Sequence, residues 1–196
     1  DYVLSRAKAD GVKNLVTVSN LSSSRALRDV TESYGGTYFA SAVGGVNATT
    51  LMHEKGAIIG GEGNGGVIYP AIHSGRDAMV GVALFLSNLA HKKMTVSELK
   101  KTYPEYHIAK NKIELSDKGL IDKILSELKV IYAHENVNDI DGVKISFEDK
   151  REWVHLRKSN TEPIIRIYSE APTEEEAVKL GEKVIAVAEK IISSAK

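Results

Sequence analysis

The sequence predicts an α/β domain followed by a smaller α+β domain. Three observations predict it. Strand-like and helix-like runs alternate through roughly the first 100 residues, TYPEYHIAKNKIEL at residues 102 to 115 breaks that alternation, and period-two runs then lead to a long amphipathic helix. At 196 residues the chain also exceeds a typical domain of roughly 100 to 150, so two domains, each able to bury a core, are expected.

The elements follow in order. Val3, Leu4 and Ala7 fall at helix spacing with Gly11 as a stop, so the chain opens directly in a helical pattern, as an excised piece of a longer protein would. NLVTVSN reads as a buried strand. Residues 22 to 35 read as a helix turning Ala26, Leu27 and Val30 inward. GTYFASAV is strand-like, NATTLMHEKG helical, and AIIG a short apolar run. After the glycine-rich GGEGNGGVIYP, a helix over residues 77 to 91 is expected to bury Met79, Val80, Ala83, Leu84 and Leu86. Thr95 and Glu98 form a capping-box pattern.

Pro104 between two tyrosines marks the domain boundary. Beyond it, a helix near residues 117 to 129 presents Leu120, Ile121, Ile124, Leu125 and Leu128 on one face. GVKISFE and REWVHLRK alternate at period two around Asp149 and Lys150, as a hairpin does, and IIRIYSEA supplies another strand. Thr173 and Glu176 cap a last helix that buries Ala177 or Val178 with Leu180, Val184, Val187 and Ile191.

Lys plus Arg equal Asp plus Glu at 26 each, so no global basic field exists to hold nucleic acid or an acidic membrane surface. Cysteine is absent, which excludes disulfides and thiolate metal sites. No apolar run approaches the roughly 20 residues of a membrane helix, and the expected compartment is the cytosol. The six histidines are scattered without ligand spacing, so no metal site is assigned. Trp153 alternates with Val154 on a hairpin strand, which fits sheet packing better than sugar stacking.

Two clusters can carry chemistry. Residues 61 to 66 match G-x-G-x-x-G, but a dinucleotide turn needs a helix directly after the glycines, and Val67, Ile68, Tyr69 and Pro70 follow instead. A loop this bare lets a ligand approach the backbone and projects only Glu62 and Asn64, a carboxylate and an amide suited to vicinal hydroxyls. A tight strand connection with two solvated polar residues explains the same letters.

The second cluster lies in HLRKSNTEPIIRIYSEA, residues 155 to 171. Arg157 offers a forked, permanently charged donor set, and the hydroxyls of Ser159 and Thr161 with nearby backbone N–H groups can complete a cradle for phosphate oxygens. Glu162 sits awkwardly beside an anion and is expected to turn away, toward Arg166 or the backbone. Ordinary turn chemistry also accounts for Ser159, Asn160 and Pro163.

Taken together, GGEGNGG and RKSNTEPIIRIYSEA resemble the α-D-phosphohexomutase superfamily of phosphoglucomutases, phosphomannomutases and phosphoglucosamine mutases. The resemblance covers the whole chain but only the third and fourth of the family's four domains. It implies an α/β/α layered domain with a mixed sheet over residues 1 to 105, binding sugar. A small antiparallel sheet flanked by helices follows over residues 106 to 196, binding phosphate. In the family the third-domain loop, GE-x-S-G, holds sugar hydroxyls. Glu62 stands at its first place and Asn64 at its second. The fourth-domain loop, R-x-S-G/N-T-E/T-P, grips the phosphate that is not transferred, and Arg157, Ser159, Asn160 and Thr161 match it position by position, with Arg166 a weaker contributor.

The resemblance further implies a phosphoserine loop of T-A-S-H-N-P type in the first domain and a D-G-D-x-D-R loop binding Mg2+ in the second. Neither string occurs in this chain. The expectation is therefore a part that binds a hexose phosphate, needs the missing N-terminal domains, holds no catalytic residue or cofactor of its own, and is inactive alone. A noncatalytic sugar-phosphate-binding or regulatory module is the alternative. Several relatives carry Lys or His in the segment that here reads SAVGGVNATTLM, and His where Gly66 stands, so the preferred sugar stays open. Arg76 and Asp77 resemble a family R-D-G segment beside the site, with Asp77 read first as a helix N-cap.

Overall fold

The computed structural model describes residues 1–115, 119–159 and 162–194. It divides into two compact units, Asp1–Glu105 and Tyr106–Lys196.

The first unit runs α1 (Tyr2–Ala9), β1 (Val16–Asn20), α2 (Ala26–Ser33), β2 (Thr37–Ser41), α3 (Gly45–Lys55), β3 (Ile59–Glu62), β4 (Gly66–Tyr69), β5 (His73–Arg76), α4 (Ala78–Lys92) and α5 (Val96–Lys100). Its sheet has the order β2-β1-β3-β4-β5. The first three strands are parallel and the last two antiparallel. Alternate residues of β1 face opposite ways. Val16 and Val18 pack with Ile68 against Ala48 and Met52 of α3, whereas Thr17 Oγ1 meets Thr31 Oγ1 of α2 at 2.7 Å on the other face. α4 shares that second face, where Gly81 lies against Val67. The result is the expected α/β/α sandwich around a mixed sheet.

One expectation fails along α4. Met79 is 77% and Leu86 57% exposed, Ala83 is exposed too, and Val80 and Leu84 are only half-buried. Gly81 is turned to the sheet, and the buried Asn88 donates from Nδ2 to Asp1 Oδ2 at 3.2 Å and to Tyr103 Oη at 3.1 Å. AMVGVALFLSNLA is apolar on nearly every side, so periodicity could not choose a face; the close approach of Gly81 to Val67 chose it. Asp77 does cap this helix, its Oδ1 accepting from Val80 N at 2.9 Å.

The second unit contains β6 (His107–Glu114), α6 (Gly119–Ile131), β7 (Asn136–Asn138), β8 (Val143–Phe147), β9 (Glu152–Lys158), β10 (Ile164–Ala171) and α7 (Glu174–Ser194). The strands form one antiparallel sheet in the order β6-β10-β9-β8-β7. α6 and α7 bury Ile121, Ile124, Leu128, Leu180, Val184 and Ala188 against Ile145, Leu156, Ile165 and Ile167. Each large side chain of this core contributes about 1.5–3 kcal/mol. Of the two alternatives at the start of α7, Ala177 is buried and Val178 is 40% exposed. Three strands were not foreseen: β5, β7 and β6. The last is hidden in sequence because its inward positions include polar His107 and Asn111. Trp153 is buried, and its Nε1 donates to Glu170 Oε1 at 2.7 Å, which is a packing role.

Candidate functional site

In the first unit the chemistry gathers where β1 and β3 end. Strand order turns at this point: β2 lies on one side of β1 and β3 on the other. Open sheets of this kind bind ligands outside the carboxyl ends of the strands at such a switch point. Glu62 is the last residue of β3. Its side chain is 5% exposed, and both carboxylate oxygens have partners. Oε1 accepts from Asn20 Nδ2 at 3.1 Å, and Oε2 accepts from Arg76 Nη1 at 2.9 Å. Asn20, Glu62 and Arg76 come from β1, β3 and β5, so three strands fix one carboxylate.

The 62–66 connection is a hairpin turn. Gly65 N donates to Glu62 O at 3.1 Å, and Gly65 takes a φ of +92°, a left-handed value that favours glycine. Asn64 is exposed at the tip, where its Oδ1 accepts from Gly66 N at 3.2 Å. That leaves its Nδ2 as the donor toward a ligand. A Cβ at Gly66 would stand 2.7 Å from Arg76 Cδ, so the missing side chain is what lets Arg76 cross to Glu62. A cavity of about 300 Å³ beside it is lined by Ser19, Ser23, Leu27, Ile59, Glu62 and the glycines of the loop.

In the second unit Arg157 stands near the end of β9 and Arg166 on β10, directly opposite each other in register, and Lys112 of β6 is opposite Arg166 on its other side. Three cations thus form a row across three strands. Each has an acidic neighbour: Asp141 Oδ2 lies 3.5 Å from Arg157 Nε, Glu162 Oε2 3.1 Å from Arg166 Nη2, and Glu114 Oε1 2.7 Å from Lys112 Nζ. Glu162 has turned to Arg166. Glu114 raises the Lys112 pKa, through its hydrogen bond first and its charge second. Arg157 Nε is buried without a hydrogen-bond partner. Ser159 is buried, and its backbone N donates to Ile164 O at 3.0 Å, closing the base of the loop. Asn160 and Thr161 lie outside the described residues.

Two residues on Arg157's side of β9, His155 is fully buried and its Nε2 lies 2.6 Å from Asp141 O. Burial pushes its pKa down to about 4. The ring is therefore neutral at pH 7 and donates to that carbonyl.

Sequence reasoning selected Glu62 and Asn64 in one unit and Arg157, Ser159, Asn160, Thr161 and Arg166 in the other. It missed Asn20 and Lys112. The signal for Asn20 was present: an amide closes a buried strand on the same parity as Val16 and Val18. Among the described residues, no three His, Asp or Glu side chains come together to hold a metal ion, and no helix is long and apolar enough to cross a membrane.

Residues 2–106 match the family model for the phosphoglucomutase/phosphomannomutase alpha/beta/alpha domain III, and residues 111–187 match that for the C-terminal domain. The phosphoglucomutase/phosphomannomutase of Thermococcus kodakarensis is 35% identical over 173 residues, which are 86% of this chain and 37% of the relative. The phosphoglucosamine/phosphogalactosamine mutase of Sulfurisphaera tokodaii is 33% identical over 181 residues, 91% of this chain and 39% of the relative. Among solved structures, a phosphoglucomutase/phosphomannomutase family protein from Burkholderia thailandensis superimposes with a TM-score of 0.74 at 20% identity, over 96% of this chain and 41% of that one. Aspergillus fumigatus N-acetylphosphoglucosamine mutase, in complex with GlcNAc-6P and magnesium, gives 0.70 at 15% identity, over 97% of this chain and 42% of that one. The chain belongs to the phosphoglucomutase/phosphomannomutase family, of which it carries domain III and the C-terminal domain. It spans about two-fifths of the length of the curated relatives it matches.

Proposed function

We propose that this chain is the carboxyl-terminal part of a phosphohexomutase that interconverts the 1- and 6-phosphates of a hexose. The observation that carries the reading is the Glu62 carboxylate, buried and held from two sides at a strand switch point, in a chain matching both C-terminal family domains. A carboxylate so fixed still has lone pairs to accept from neighbouring sugar hydroxyls, and Asn64 Nδ2 can donate to their oxygens. Arg157 and the 159–161 loop hold the phosphate that stays, and Arg166 contributes once Glu162 yields to it. In such a reaction the two ends of the sugar exchange places, so the loop has to recognise phosphate rather than one sugar position.

The phosphoryl donor and the Mg2+ that neutralises developing phosphate charge fall to N-terminal domains of the family that this chain does not include. On this reading the chain alone binds and does not turn over, and the complete enzyme works in the cytoplasm. The test is Arg157→Ala in the complete polypeptide. Charge-assisted contacts of this kind are each worth about 1.5–3 kcal/mol, so kcat/KM for the hexose phosphate should fall about 10- to 100-fold. Unchanged turnover would remove Arg157 from the substrate.

A further inference from the structure

Glu62 is useful to a sugar only if its carboxylate is held still, and the two groups that hold it differ in kind. Arg76 is half-exposed, with a side chain 54% accessible, and reaches across Gly66 from the end of β5. Asn20 is 5% exposed and belongs to the strand beneath the site. Its amide is committed at both ends. Oδ1 accepts from Ser22 N at 3.1 Å and from Ser23 Oγ at 2.9 Å, while Nδ2 donates to Glu62 Oε1 at 3.1 Å. The register of β1 with β3 ends at Ser19↔Gly61, so Asn20 and Glu62 continue the ladder by one step through side chains instead of backbone.

We propose that Asn20 is a positioning residue for Glu62: its amide locks the turn after β1 through one atom and sets the Glu62 carboxylate through the other, with Arg76 closing the opposite oxygen. This rests on the reading of Glu62 as the sugar-binding carboxylate. The division of labour within one amide makes a clean experiment possible. Asn20→Asp keeps an acceptor for Ser22 N and Ser23 Oγ but replaces the donor with a second carboxylate facing Glu62. Two carboxylates about 3 Å apart cannot both ionise without strong repulsion, and they share a proton as pH falls. The only charged partner of Glu62 among the described residues is Arg76, and it stays in place.

The measurement is kcat/KM against pH in the complete polypeptide, on whichever 1-phosphate of glucose, mannose or glucosamine the parent turns over fastest. Variants Asn20→Asp, Asn20→Ala and Glu62→Gln are compared, with an unfolding midpoint for each. Asn20→Asp should lose about tenfold or more at pH 8, the effect of one displaced charged hydrogen bond, and recover as pH falls toward 5 relative to the parent at the same pH. Asn20→Ala should lose activity without that recovery. Parent-like kcat/KM for Asn20→Asp at pH 8, with Glu62→Gln impaired, overturns the role of Asn20 and leaves the reading of Glu62 standing. A deficit that ignores pH and tracks the unfolding midpoint also overturns it, in favour of a structural role. If Glu62→Gln is itself as active as the parent, the reading of Glu62 fails first.

Discussion

Arg157 and Arg166 stand directly opposite each other on neighbouring antiparallel strands, each drawn aside by its own carboxylate, Asp141 and Glu162. Like charges in this position destabilise a sheet, so the arrangement costs stability unless an anion occupies the row. Arg166→Gln relieves that repulsion but gives up the exposed ion pair with Glu162, so the unfolding free energy of the second unit should stay the same or rise by no more than about 0.5 kcal/mol. The substitution should also reduce the stabilisation that inorganic phosphate gives the parent, about 1.4 kcal/mol at tenfold excess over Kd. Thermal denaturation with and without phosphate measures both. A large loss of stability with the phosphate effect intact would make the pair structural.

Two glycines near Glu62 should respond oppositely to alanine. At Gly66 the new methyl meets Arg76 Cδ at 2.7 Å, and a half-exposed side chain can swing away, so the expected loss is substrate handling with little change in stability. At Gly60 it meets Val18 O at 2.5 Å and Met52 Sδ at 2.6 Å inside the core, an overpacking cost of about 1–3 kcal/mol. Paired unfolding and kinetic measurements on Gly66→Ala and Gly60→Ala separate the two. Equal destabilisation would show that Arg76 is not free to move.

His155 gives the second unit an acid sensitivity whose sign is fixed by its burial. Its pKa falls from 6.5 to about 4 on folding, so between these values the unfolded chain binds the extra proton and folding excludes it. The stabilisation is complete above pH 6.5 and is lost at up to about 1.4 kcal/mol per pH unit on descending toward 4. His155→Gln, which cannot titrate, should flatten the part of the stability profile lying between pH 6.5 and 4. An unaltered slope would assign the acid sensitivity to carboxylates instead.

Most of the architecture was legible because it rests on periodicity and punctuation. The hairpin around Asp149 and Lys150, the capping pairs at Thr95 and Thr173, and the strand after GGEGNGG all occur where local chemistry put them. β6 escaped because Asn111 and His107 occupy inward positions of an edge strand. The site was legible only one residue at a time. Glu62 stands out in a bare glycine loop, but its partners Asn20 and Arg76 are 42 and 14 residues away, and only the sheet order joins them. Lys112 likewise enters the cation row through β6–β10 register, a relation no local pattern contains.

The outward face of α4 yields a prediction that runs against the usual cost of changing apolar residues. Met79, Val82 and Leu86 are 77%, 52% and 57% exposed, and they fall at helix spacings of three and four, so they share one stripe. Burial sets the worth of an apolar side chain, and little is buried here. Met79→Gln and Leu86→Gln should each change the unfolding free energy of this chain by no more than about 0.5 kcal/mol, and the double variant should be more soluble. Leu4→Ala is the contrast: that side chain is fully buried where α1 begins, and truncating it should cost about 2–5 kcal/mol. Chemical denaturation of the three single variants checks the ranking. If Leu86→Gln were as damaging as Leu4→Ala, the stripe would be covered within the folded chain, and the exposed orientation of α4 would be wrong.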